Sequence, residues 1–138
     1  MSASLSHIPF PVRQPCPPGV CQCGHQELIE DEQQDIRILR LTLSEEKKLI
    51  KRLEGVSDFD DLQKMRRLME QQLGIQLKIS PGHTEVRSPR GLEIGFKNQP
   101  GLCRKTRKNI PAAIRRCLTA KPEILYRLLD SFDLFREL

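Results

Sequence analysis

The sequence predicts an α+β fold: a helical hairpin, a small three-stranded antiparallel sheet and two C-terminal helices, with an N-terminal Cys-rich loop. Three observations lead there. Apolar residues recur at helical spacing through 44–73 and again from 109 onward, they alternate with polar residues between 75 and 96, and three of the five cysteines crowd into CPPGVCQCGH at 16–25. With 138 residues, 30% charged and 38% hydrophobic, the chain suits a single domain over 16–138. Residues 1–15 hold three prolines and no periodicity, which predicts a flexible arm.

Each element has its own signal. Residues 27–41 are assigned to a helix, although Ile36, Ile38, Leu41 and Leu43 fit neither period cleanly. The acidic run Glu30, Asp31, Glu32 and Asp35 reads as a solvated helix surface rather than a cation site. Ser44 can cap a helix bearing Leu49, Ile50 and Leu53 and ended by Gly55. Ser57 starts the next, whose first turn carries Asp58, Asp60 and Asp61, acids that suit the positive end of the helix dipole. Its apolar stripe is Leu62, Met65, Leu68, Met69 and Leu73, and Gly74 ends it. The two helices read as a hairpin.

From Ile75 the period falls to two. Ile75, Leu77 and Ile79 alternate with polar residues, Pro81-Gly82 makes a turn, Thr84 to Arg87 supplies a second strand, and Ser88 to Gly91 turns into a third with Leu92, Ile94 and Phe96. Asn98-Gln99-Pro100-Gly101 breaks the sheet. Asn109 and Pro111 then open a helix with Ile110, Ile114, Cys117 and Leu118 on one face, and Pro122 starts a last one with Leu125, Leu128, Leu129, Phe132 and Phe135.

The opening residues lack the apolar core of a secretory signal, and no run approaches the roughly 20 apolar residues of a spanning helix. A cytoplasmic protein without a membrane partner is expected. An odd count of five cysteines fits a secreted disulfide scaffold poorly, which favours metal binding or thiol chemistry.

The cysteine loop has the chemistry for either. Pro18-Gly19 suits a tight turn that brings Cys16 and Cys21 together, Cys23 lies two residues on, and Gly24 lets the backbone bend around a sulfur. Structural zinc takes four thiolate or imidazole ligands in a tetrahedron. The predicted set is Cys16, Cys21, Cys23 and Cys103, with His25 as the alternative fourth ligand. Cys103 is preferred because it follows the Pro100-Gly101 turn and ties the loop to the folded body. Cys117 shares the stripe of Ile110, Ile114 and Leu118, so it is the spare core thiol. Zinc is the expected metal and an iron–sulfur cluster the alternative. The spacing C-x4-C-x-C is not a common zinc or cluster pattern, so a thiol redox protein or sensor using Cys16, Cys21 and Cys23 stays open.

The net charge of +5 is uneven: +1 over residues 1–25, −3 over 26–73 and +7 over 74–138. The densest cations are Arg104, Lys105, Arg107, Lys108, Arg115 and Arg116, with no acid among them, and Arg87 and Arg90, which flank the strand-connecting turn, extend the patch. Such a stretch points to nucleic-acid phosphates or to an acidic protein partner. One Tyr, five Phe and no Trp, none interleaved with the basic run, argue against base stacking. The three histidines are scattered, and no nucleophile, phosphate-loop or dinucleotide motif is present, so no enzyme is expected. The expected function is a small metal-stabilised binding or regulatory protein contacting nucleic acid through its basic half. A protein-interaction adaptor using the amphipathic last helix is a further alternative.

Overall fold

In the computed structural model, residues 9–16, 23–30, 35–81, 91–97 and 99–132 are described. They form five α-helices, one 3-10 turn and a two-stranded sheet. In chain order these are α1 (His25–Glu30), the 3-10 turn (Arg37–Arg40), α2 (Leu43–Glu54), α3 (Phe59–Leu73), β1 (Leu77–Pro81), β2 (Leu92–Phe96), α4 (Arg104–Ala120) and α5 (Pro122–Ser131).

The predicted helix at 27–41 is replaced by α1 and the separate 3-10 turn. Ile38, Leu39 and Leu41 are all buried, and a regular helix would spread these close-set positions around its circumference. Arg37 and Arg40 of the turn donate to the carbonyls of Glu70, Gln71 and Gln72. They thereby cap the negative end of α3.

Two predicted caps move by a residue or two. Thr42, not Ser44, caps α2 through a bond from the Glu45 N–H, and Asp58, not Ser57, caps α3 by accepting from the Asp61 N–H at 2.7 Å. Asp61 reaches back to accept from the N–H of Ser57, the residue before the cap, at 3.0 Å, which fixes the chain's entry into the helix. Its carboxylate also takes two bonds from Arg52 of α2, at 3.0 and 2.6 Å.

The predicted hairpin gives way to a different pairing. α2 packs chiefly on α4, while α3 packs on the 3-10 turn and α5. Asn109 reaches Glu46 and Arg116 reaches Glu54, so α2 and α4 run parallel and begin at the same end. Leu53, Leu62, Met65, Met69, Ile110, Ile114, Leu118, Leu125 and Leu128 fill the space between the helices, as their stripes predict.

Among the described residues the sheet has two antiparallel strands rather than three, with Leu77 opposite Phe96, Lys78 opposite Gly95 and Ile79 opposite Ile94. The predicted strand at 84–87 and the turns beside it lie outside the described residues. Ile79 and Leu92 are buried on the core side, and β2 lies against α4.

α4 begins five residues before the predicted opening at Asn109. Pro111 is its eighth residue and is buried. It cannot donate to the Arg107 carbonyl. The helix tolerates this because Ile110, Ala113, Ile114, Cys117 and Leu118 bury one continuous face across it. Arg104 to Lys108, expected in a loop, are therefore its first turns. α5 starts at Pro122 as predicted. Phe135 lies outside the described residues. No described helix is long and apolar enough to cross a membrane.

Candidate metal centre

Three segments far apart in the chain deliver three thiols to one place. Residues 9–16 pass beside the 3-10 turn, where the Arg13 N–H donates to the Leu39 carbonyl at 2.7 Å and Phe10 and Val12 pack on the core. This segment ends at Cys16. Cys23 is carried into α1 by Gly24, whose φ of +74° suits glycine and whose carbonyl accepts the Leu28 N–H. Cys103 occupies the N-cap of α4 in extended backbone, with no side-chain bond capping the helix start.

Gly101 brings Cys103 close. Its φ is +85°, and a Cβ there would collide with Leu28 of α1 and Ile38 of the 3-10 turn. The chain leading to α4 can thus lie directly on the elements that hold the other two thiols.

The sulfurs of Cys16, Cys23 and Cys103 all lie within 4.8 Å of one another, close enough to hold a metal ion. Cys16 Sγ and Cys103 Sγ are 3.3 Å apart. A tetrahedron with zinc–sulfur bonds of about 2.3 Å has sulfur–sulfur edges of about 3.8 Å, so the cluster brackets that size. Cys21 lies outside the described residues. His25 is not among the converging atoms: its Nε2 donates to the Arg13 carbonyl at 2.6 Å, and its Nδ1 is buried without a partner among the described residues. Its visible task is to pin the segment that carries Cys16. Cys117 is 3% exposed in the core, where periodicity places it.

Arg13 is the residue that sequence reasoning missed. It is 8% exposed, one guanidinium nitrogen donates to Cys23 Sγ at 3.5 Å, and Nε is buried without a partner among the described residues. No carboxylate pairs with it there. A buried cation costs several kcal/mol unless negative charge lies close. The sulfurs of Cys23 and Cys103 lie beside it. The signal was present: Arg13 is the one charged residue before Glu27.

Burial, then the hydrogen bond shared with Cys16, push the Cys103 thiol well above its ordinary range, while Arg13 pulls it down. The thiol form is thus favoured at this sulfur even beside Arg13. A bound metal reverses the balance, because its charge expels the thiol proton.

Beside the thiols a cleft of about 850 Å³ opens between Cys16, Cys103 and the first turns of α2 and α4. Arg104, Lys105 and Lys108 line it, with the exposed Leu43 on the opposite wall. The other predicted phosphate-binding cations have internal partners. Arg107 donates to the Gln99 carbonyl, Arg115 to the Leu92 carbonyl, and Arg116 pairs with Glu54 at 2.6 Å. Arg87 and Arg90 lie outside the described residues.

No protein-family model, curated protein or solved structure matches this chain.

Proposed function

We propose that this chain is a small zinc-stabilised protein in which Cys16, Cys21, Cys23 and Cys103 hold one metal ion. The observation that carries the reading is the convergence of three thiols from three segments around a buried arginine that has no carboxylate partner among the described residues. Cys21, two positions before Cys23, supplies the fourth thiolate, and four thiolates make a closed structural site. Four thiolates around Zn²⁺ carry two net negative charges. Arg13, the cations of the first turn of α4 and that helix's positive end compensate them.

The metal fastens the N-terminal segment to the start of α4. It thereby fixes the turn that presents Lys105 and Lys108, neither of which has an ion pair among the described residues. Phosphate groups of a nucleic acid are the ligands proposed for these two residues and Arg104.

Metal analysis of anaerobically purified protein tests the centre. About one zinc per chain is expected, lost in Cys103→Ser and retained in Cys117→Ala. Iron with acid-labile sulfide and visible absorption would replace zinc by an iron–sulfur cluster. Metal-free protein with a reversible disulfide among Cys16, Cys21 and Cys103 would replace the metal reading by thiol redox chemistry.

A further inference from the structure

Away from the thiols, α3 and the two-stranded sheet enclose a groove of about 960 Å³. Arg66, Arg67, Lys78 and Lys97 line it against the single carboxylate of Glu70. The sheet register explains two of them. Lys78 stands opposite Gly95, and the Lys97 N–H bonds the Gln76 carbonyl, so Lys78 and Lys97 project from the same sheet face, opposite to the buried Ile79 and Leu92. Gly95 puts no side chain between them, and a Cβ there would meet nothing within 4 Å. The floor between the two lysines is therefore open.

On the helix side, Arg66 is held in place. It donates to Gln63 at 3.2 Å and to the Leu77 carbonyl at 3.1 Å, which ties α3 to β1 and leaves further N–H donors on its guanidinium. The side chains of Arg67, Lys78 and Lys97 are exposed and make no hydrogen bond or ion pair among the described residues. Glu70 is partly engaged, since it accepts from Gln76. Four cations thus face one carboxylate across a concave surface.

We infer that this groove binds the phosphodiester backbone of a nucleic acid, through Arg67, Lys78 and Lys97 with Arg66 as the fixed donor. The lining favours phosphate over an acidic protein surface. No aromatic side chain lines the groove, and its apolar lining is limited to Leu77 and Ile79 of β1, so the aromatic anchors that carry most protein–protein affinity are missing. For the same reason bases are not stacked, and binding is indifferent to sequence. The site is separate from the six cations singled out in the sequence, and it does not depend on the metal.

The test uses the full-length chain with a fluorescent single-stranded DNA and a duplex of the same length, titrated across a salt series. Three to four neutralised phosphates give a plot of log affinity against log salt with a slope of about −3 for duplex and about −2 to −3 for the single strand. The tighter of the two at a given salt concentration identifies the form bound. Lys78→Ala with Lys97→Ala is expected to weaken binding about tenfold and to reduce the slope by about two. The thermal transition should stay unchanged, because these side chains have no partners to lose. Metal-depleted protein should bind in the groove as before. Binding lost in Arg104→Ala with Lys108→Ala, but untouched by the groove pair, would overturn the inference and leave the start of α4 as the phosphate site. Binding of neither DNA, with salt-sensitive binding of polyglutamate, would overturn it in favour of an acidic protein partner.

Discussion

Cys16 and Cys103 lie 87 positions apart in the chain and 3.3 Å apart at their sulfurs. The intervening chain includes α1, α2, α3 and both strands, so whatever joins these two sulfurs closes a loop around most of the fold. Cross-linking a long loop restricts the unfolded chain most. The contact is therefore as much a statement about stability as about chemistry.

Removing the proposed metal should separate those two consequences. A binder present at about a hundredfold above its dissociation constant stabilises by about 2.7 kcal/mol, here roughly 10 °C in the unfolding midpoint. Strong chelation is expected to lower the midpoint by that order while far-UV circular dichroism at low temperature stays nearly constant. α4 and α5 bury Ile110, Ile114, Leu118, Leu125 and Leu128 without help from the thiols. Collapse of the helical signal on chelation would show instead that the metal holds the whole fold.

Gly101 gives a second handle on the same site. Gly101→Ala places a methyl group against Leu28 and Ile38 and forces a non-glycine residue to φ +85°. Overpacking and left-handed strain together cost about 2 kcal/mol or more. The midpoint should fall by about 8 °C, and metal should pass to a competing chelator faster, because the loop holding Cys103 moves off α1. An unchanged transfer rate would mean that Cys103 is placed by α4 alone.

Cys117→Ala should behave differently. Its thiol lies in the core and donates to the Val56 carbonyl at 3.5 Å, but that carbonyl also accepts from Lys121, so it keeps a partner after the substitution. A loss of about 1 kcal/mol is expected, from the small cavity, with no change in metal content. Thiol titration of folded protein should be unaltered, and that of denatured protein should fall by one group.

How legible the molecule was in its sequence differs from element to element. The stripes of α3, α4 and α5 were readable because burial of one face is a local periodic property, and the same periodicity set Cys117 apart from the other thiols. The pairing of α2 with α4 was not readable, since two amphipathic helices joined by a short loop carry no local mark of which neighbour each will cover. Thr42 and Ser44 are both competent caps, and the choice between them depends on where Leu41 must enter the core. Pro111 reads as a helix opener, yet tertiary burial carries α4 across it. The link from the cysteine loop to Cys103 came from its place after the Pro100-Gly101 turn and from setting Cys117 aside as the core thiol. Arg13 escaped because burial of a lone cation is set by the elements packed around it and leaves no pattern in its own segment.

The Arg52–Asp61 pair yields a prediction in pH. Asp61 accepts two bonds from Arg52 and one from the Ser57 N–H, and these hold its carboxyl well below the usual carboxylate range, Arg52 contributing most and burial opposing. A carboxyl depressed in the folded state binds protons more readily when unfolded. The stability it contributes is therefore complete above the unfolded value of about 3.9 and is lost as pH falls below it toward the folded value. Arg52 is 43% exposed at its side chain, so solvent screens the pair and about 1 kcal/mol is a fair scale at neutral pH. Asp61→Asn keeps an acceptor for the Ser57 N–H but removes the charge that Arg52 meets. Thermal midpoints should differ by about 4 °C between the two proteins at pH 7 and converge as the pH is lowered toward 2. Raising the salt concentration at pH 7 should narrow the gap partially. A difference that stays constant from pH 7 to pH 2 would assign the effect to helix capping by an uncharged acceptor, and the ion pair between α2 and α3 would then contribute nothing measurable.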